Sequence, residues 1–570
     1  MIPRLVRSLP PWIAALALVS ALAPSPAAAQ FGEGEVVQAP PDRPIPPPFY
    51  AIRNATVVTG TGTTIEGGTV VIENGLITAV SPNAAVPPEA WVLDGEGLTV
   101  YPGLFHALGQ LALKEPEEEG DGEGGGLAQL FGGGETAEGP EDRPETYPWR
   151  AAADMLAGEA DQVEKWREGG FTNAMTVPAD GIVAGQGAVV ALAGEPGEMV
   201  VATPAALKLG LETSGFFSYP GSLFGVMSYL EQLFLDAERY GRAVAAYEAS
   251  PGGRERPRYD RTLEPVRRAV VERWATLIPG DEPREIRRAI ELGDELGVRT
   301  VVVGGHGAWR MPAEIAASGA AVLVNLEWPE GPKDPDPERE VPLRELQARV
   351  NTPSTPARLE SAGVVWAFYP GGVATAKQAL EKARDAVDAG LDEEAALRGL
   401  TLYPARIYGV DDRTGSIEPG KIANLLVTEG GLFDEKAKVR MVFVDGRKFE
   451  IPEVEKPEEP PAADMSGSWD LAIESPQGVR EVDAELEMEE DGTLSGTLTS
   501  EQGEQTIEEG WVSGESFRWT TTITMGPSTV EATFSGTFEG DEMEGTVSIG
   551  GRFSVDFTGE RTSGPGGGAR

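Results

Sequence analysis

Cysteine is absent from all 570 residues, which excludes disulfides, thiolate nucleophiles, thiolate metal sites and lipid-bearing cysteines. Histidine is nearly absent: His106 and His306 are the only two, so imidazole for metal binding or proton transfer is scarce. Positive charge is in deficit, with 47 Lys and Arg against 91 Asp and Glu and a formal net charge of -44. Nucleic acid and anionic membranes both bind through basic surface, so neither is an expected partner. The excess of carboxylate favours solubility and does not by itself separate a high-salt habitat from an ordinary acidic protein. No apolar run reaches the ~18 residues of a bilayer span. A Gly-x-Ser-x-Gly elbow with a histidine partner is missing, as is a phosphate-cradling glycine loop, since Gly185-Gln-Gly187 has no such context.

What is present starts with the layout of a secretory signal: Arg4 and Arg7, an apolar run over 12–23, then Ala27-Ala-Ala29 before Gln30. Cleavage near Ala29 and export, periplasmic or extracellular, are expected. Residues 30–49, rich in proline and acid, read as a disordered leader. A chain of this length with 41% hydrophobic residues holds more than one globular domain.

From Tyr50 the pattern turns to short strands, with Asn74-Gly75 as a hairpin signal between 68–72 and 76–80. Residues 104–400 alternate apolar runs with helical patterns, as a parallel α/β barrel would. Two insertions interrupt it, an acidic glycine-rich loop at 114–148, read as mobile, and a helical segment at 216–272. A Pro/Glu linker over 451–464 leads to 465–561, where period-two alternation such as Val482-Asp-Ala-Glu-Leu-Glu-Met488 predicts an antiparallel β-barrel or sandwich, followed by a disordered tail at 562–570. Gly467-Ser-Trp469 at the start of that domain resembles the Gly-x-Trp opening of calycin-type barrels.

The stretch Tyr101-Pro-Gly-Leu-Phe-His-Ala-Leu-Gly-Gln-Leu-Ala-Leu113, together with Thr401-Leu-Tyr-Pro-Ala-Arg-Ile-Tyr-Gly409 and the return segment Gly415-Ser-Ile-Glu-Pro-Gly-Lys421, resembles the amidohydrolase superfamily over roughly residues 50–450. The resemblance implies a (β/α)8 barrel flanked by a composite β-sandwich, 50–103 before it and 401–450 after it. Asn424 stands where that family prefers aspartate. The resemblance also implies a metal-activated water, held by paired histidines on barrel strand one, a modified lysine on strand four, single histidines on strands five and six and an aspartate on strand eight. On this chain those positions hold Leu108 and Gln110, Lys208, Pro279, Gly304 in Val303-Gly-Gly-His-Gly-Ala-Trp309, and Gly371 in Ala367-Phe-Tyr-Pro-Gly-Gly372.

No metal site is therefore expected. His106 reads as a core histidine and His306, in a glycine-rich loop, as a ligand contact, both being weak catalytic candidates. Gln110, Lys208, Trp309, Glu327 and Tyr369 are the candidate pocket residues. The loop carboxylates Asp180, Asp281, Glu327 and Glu330 could approach the mouth, yet a chain this acidic places some there by chance. The leading expectation is an exported amidohydrolase-like pseudoenzyme or small-molecule-binding protein without cofactor. One alternative is an active C–N hydrolase with an atypical site, using zinc or another divalent metal or none. Another is a surface interaction protein acting through the C-terminal β-domain. A homo-oligomer or pairing with an active paralogue stays open.

Overall fold

Asn74 and Gly75 both take positive φ, 51° and 82°, and this tight turn joins β2 (Thr64–Glu73) to β3 (Leu76–Ser81), as an Asn-Gly pair should. The computed structural model describes residues 49–114, 143–158, 160–213, 219–331, 340–434, 436–451, 460–475, 478–489, 491–500, 503–525, 528–549 and 553–564. The expected signal peptide and leader, most of the acidic insertion and most of the linker lie outside these residues.

Three sheets account for the strands. In the first, β1 (Phe49–Val58), β2, β3, β4 (Trp91–Asp94) and β5 (Leu98–Pro102) join three strands from beyond residue 420. β5 pairs antiparallel with one of these, Leu425 facing Pro102. The inner face packs Ile52, Val70, Ile72, Val100, Leu425 and Phe443. A second Asp445-Gly446 hairpin meets the first: a Cβ on Gly446 would lie 2.6 Å from the Gly75 Cα, so the two turns touch only because both are glycine.

The second sheet runs in sequence order through β6 (Leu104–Gly109), β7 (Phe171–Thr176), β8 (Val183–Ala191), β9 (Val200–Leu209), β10 (Ala275–Gly280), β11 (Arg299–Gly304), β12 (Ala321–Asn325) and β13 (Trp366–Tyr369). β13 comes back against β6, giving a nearly closed barrel. One strand departs from the expected all-parallel pattern. β8 is antiparallel to both neighbours, because 177–182 connects β7 to it directly, where a parallel crossover would need a dozen or more residues. The outer layer includes helix Pro283–Leu296, which starts in a Glu282/Glu285 capping box and ends at the left-handed Gly297. The insertion at 216–272 contributes helices Leu223–Ala249 and Leu263–Val271, packed on each other.

Asn424 fastens the first sheet to the barrel. Its amide donates to Asn173 Oδ1 at 2.7 Å, while its own Oδ1 accepts from the Asp445 amide at 2.8 Å. Thr414 Oγ1 also donates to Asn173, at 2.9 Å. An aspartate at 424 could not donate that first bond, which accounts for asparagine here.

The closing strands are β14 (Leu425–Glu429), β15 (Lys438–Val444) and β16 (Arg447–Glu450). The third sheet is a separate closed antiparallel barrel of consecutive neighbours, from β17 (Gly467–Ser475) through β18 (Gly478–Met488), β19 (Thr493–Ser500), β20 (Gly503–Ser513), β21 (Ser516–Met525), β22 (Ser528–Glu539) and β23 (Glu542–Ile549) to β24 (Phe553–Ser563), which returns to β17. Phe517, Trp519 and Phe534 stack in its interior with centroids 4.8 and 5.3 Å apart. Two expected boundaries shift. Residues 562 and 563 belong to β24 rather than to a tail, and the end of the linker pairs with this barrel through Ala462 N to Gly514 O at 2.8 Å.

Candidate functional site

Seven of the eight strands of the second sheet point their C-terminal ends at one mouth, and β8 starts there. Between these ends lies a cavity of about 570 Å³. Its floor and apolar wall come from Leu108, Leu277, Pro279 and Val303; Gln110, Glu145, Asp180, Lys208, Glu212 and Thr213 supply polar groups. Of the residues singled out in the sequence, Leu108, Gln110, Lys208, Pro279 and Asp180 meet here. Glu145 and Glu212 carried no sequence signal. Glu145 lies near the end of the acidic insertion expected to be mobile at 114–148, and there the chain is packed rather than loose: Thr146 is fully buried and bonds Tyr229 Oη at 2.6 Å.

Lys208, on β9, is half-buried. Its ammonium donates to the carbonyls of Ala179 at 2.5 Å and Pro178 at 3.4 Å, both in the β7–β8 connection. Burial lowers its pKa from the ordinary lysine value, and the carboxylates of Asp180 and Glu212 oppose that. Neither carboxylate is in ion-pair contact with it.

Trp309, Glu327, Tyr369 and both histidines do not line the cavity, and each has other work. Trp309 lies under the guanidinium groups of Arg310 and Arg358, 4.6 and 5.3 Å from its ring. Glu327 Oε2 accepts from the Gly372 amide at 3.2 Å, bracing the end of β13. Tyr369 is buried, and burial followed by the Asp281 and Glu327 charges raises its pKa, so it stays a phenol. His106 sits in the core, its ring edge-on to Trp166 at 4.6 Å. Burial lowers its pKa to about 4, and Nδ1 has no hydrogen-bond partner.

His306, expected at a ligand, instead ties three strand ends together. Its amide and Nδ1 lie 3.0 and 3.2 Å from the two oxygens of Asp281, just past β10, and Nε2 lies 3.2 Å from the carbonyl of Asn325, the last residue of β12. Only the imidazolium can donate from both ring nitrogens. Burial lowers the His306 pKa, but the bond and charge of Asp281 outweigh it and the net shift is upward; for Asp281 burial raises the pKa and the same contacts bring it below the ordinary value. A raised histidine stabilises fully below its unfolded pKa, 6.5, and loses that contribution as pH climbs through the folded value. A depressed aspartate stabilises above 3.8 and loses its contribution as pH falls through the folded value. His106 acts oppositely to His306, because burial penalises its charged form as pH drops below 6.5. The melting-temperature gap between wild type and His306→Gln should therefore be widest near pH 4–6.5 and close as pH rises further; a gap that grows toward pH 9 contradicts the tie.

The donor set at the mouth does not fit the divalent metal that the resemblance implies. Leu108 and Pro279 offer no side-chain lone pair, Lys208 presents a cation, and Gly304 and Gly371 offer no side chain at all. Among the described residues no group of three or more His, Cys, Asp or Glu side chains could hold a metal ion. The backbone reinforces this. Gly304 and Gly371 have φ of +120° and +64°, and a Cβ there would lie 3.0 Å from Asp281 Oδ1 and 1.9 Å from Asn325 Oδ1.

Residues 286–449 match the amidohydrolase family model. A segment of 57 residues is 47% identical to N-acetylglucosamine-6-phosphate deacetylase of Haemophilus influenzae (strain ATCC 51907 / DSM 11121 / KW20 / Rd), spanning 10% of this chain and only 14% of that enzyme. Among solved structures, an amidohydrolase from Thermotoga maritima MSB8 aligns with 70% of this chain and 100% of its own at 27% identity and a TM-score of 0.57. A prolidase complexed with N-methylphosphonate-L-proline covers 70% of this chain and 99% of its own, at 17% identity and a TM-score of 0.43. The chain thus carries an amidohydrolase-family domain, followed by a separate eight-stranded antiparallel β-barrel.

Proposed function

We propose that this is an exported amidohydrolase-family protein that no longer performs metal-dependent hydrolysis and uses the barrel mouth to bind a small molecule. The observation that supports this reading is the chemistry of the cavity wall: alkyl groups, a proline, an amide and an ammonium stand where imidazoles would be needed to grip an ion and make hydroxide near neutral pH. A cavity of about 570 Å³ is of the size that takes small ligands. Export rests on the N-terminal pattern and predicts a mature protein beginning at Gln30, read by intact mass; a secreted product retaining residues 1–29 counts against it.

A second reading, an active hydrolase of C–N bonds, is favoured by the short deacetylase match. A broad amide and ester panel with and without chelator separates the two. The first reading predicts no chelator-sensitive turnover on any substrate; turnover removed by chelator and restored by zinc supports the second.

A further inference from the structure

The charges around the mouth are layered. Lys208 lies within β9 and is half-buried, next to the apolar Leu277, the residue β10 pairs with it. Asp180 and Glu212 are exposed and lie in loops beyond the strand ends. An ammonium carries three N–H donors; two of Lys208's go to the carbonyls of Pro178 and Ala179, which leaves one unfilled. The Gln110 side-chain amide is exposed at the same cavity. With no carboxylate in ion-pair contact, Lys208 is a half-desolvated cation still lacking an anion, and charge-assisted bonds to such a group are the stronger kind. Glu145, Asp180 and Glu212 outnumber it three to one on the lining, so the mouth as a whole repels a simple anion.

We propose that the mouth binds a zwitterion: a carboxylate or similar oxyanion points inward to Lys208 and Gln110, an ammonium points outward to Asp180 and Glu212, and a short apolar body lies against Leu108, Leu277 and Pro279. This rests on the reading of the mouth as a ligand site and adds the ligand's charge pattern and orientation. Neither half alone is well served. A free acid meets the repulsion of three carboxylates, and a free amine leaves the inner donors without a partner. The arrangement selects for separated opposite charges, with a spacing set by the distance from the strand end to the loops.

The test is calorimetric titration of the full-length protein, in chelator, with straight-chain ω-amino acids of increasing length, and with hexanoate and hexylamine as single-charge controls. At least one ω-amino acid should bind about tenfold or more tightly than either control, roughly 1.4 kcal/mol. Lys208→Met should weaken that probe about tenfold and leave hexylamine within about twofold, whereas the double variant Asp180→Asn, Glu212→Gln should weaken both it and hexylamine. Both rim positions are exposed, so this variant tests the idea even if Lys208→Met destabilises the barrel. Equal binding of hexylamine and the best zwitterion overturns the proposal, as does indifference to the rim variant or no binding by any probe at about 10 mM. Probe binding that appears only when zinc replaces chelator counts instead against the metal-free reading of the mouth.

Discussion

Gly371→Asp, which puts back the carboxylate that the family resemblance places at the end of strand eight, should destabilise the barrel by about 2–4 kcal/mol and create no metal site. At φ +64° an aspartate sits in the left-handed region, a modest strain for this residue type. The larger part comes from Asn325, whose Oδ1 lies 1.9 Å from where the new Cβ must go. That oxygen accepts the Glu327 amide at 2.9 Å, so it cannot move without stranding a donor beside the glutamate that braces Gly372. Thermal melting with zinc titration checks this. A variant as stable as wild type that takes up an equivalent of zinc would mean that the rim had only lost side chains, not the backbone needed to present them.

Trp519→Ala should have the largest effect on stability, about 3–5 kcal/mol within the C-terminal barrel. Trp519 is fully buried in the Phe517–Trp519–Phe534 stack and also edges against Phe557. A closed ladder on every side leaves the surroundings little freedom to collapse into the hole. For a unit of about 100 residues this corresponds to a fall in melting temperature on the order of 20 °C. Trp519→Phe should behave differently. The indole Nε1 is buried without a hydrogen-bond partner, so phenylalanine loses packing but also removes an unpaired donor whose burial costs about 1–3 kcal/mol, and the net change should stay within about 1 kcal/mol. Calorimetry of the full chain, following the transition that Trp519→Ala moves, reads both. Equal losses for the two variants would show that the packing of the larger ring, and not the balance against its stranded N–H, decides this position.

Much of the architecture was legible because its signals are local. Asn74-Gly75 announced a hairpin, period-two alternation announced the C-terminal barrel, and the segments around 101–113 and 401–421 announced the family. The direction of β8 was not legible. Val183–Ala191 is an apolar run buried along nearly its whole length, so nothing in it distinguishes parallel from antiparallel pairing, and only the shortness of 177–182 decides. β9 was legible only through the resemblance, which puts Lys208 on strand four: Val200–Leu209 is rich in alanine, carries Pro204 and has no clean alternation of its own.

The site followed the same division. Leu108, Gln110, Lys208 and Pro279 could be placed at the mouth because strand ends in such a barrel converge. Asp180 could be placed near the mouth as a loop carboxylate, but Glu145 and Glu212 join it there because β8 reverses, which the chain signals only through the shortness of 177–182. His306 and Asp281, 25 residues apart, meet because β10 and β11 run in register with Gly280 opposite Gly304. That register turned an expected ligand contact into a structural tie.

A mouth without the side chains to hold a divalent ion should leave the purified full-length protein nearly metal-free, which elemental analysis reads. After dialysis against zinc-containing and then metal-free buffer, zinc, manganese and iron should each stay under about a tenth of an equivalent. Close to one full equivalent, retained by wild type and lost from a protein altered at Gln110 and Lys208, would contradict it.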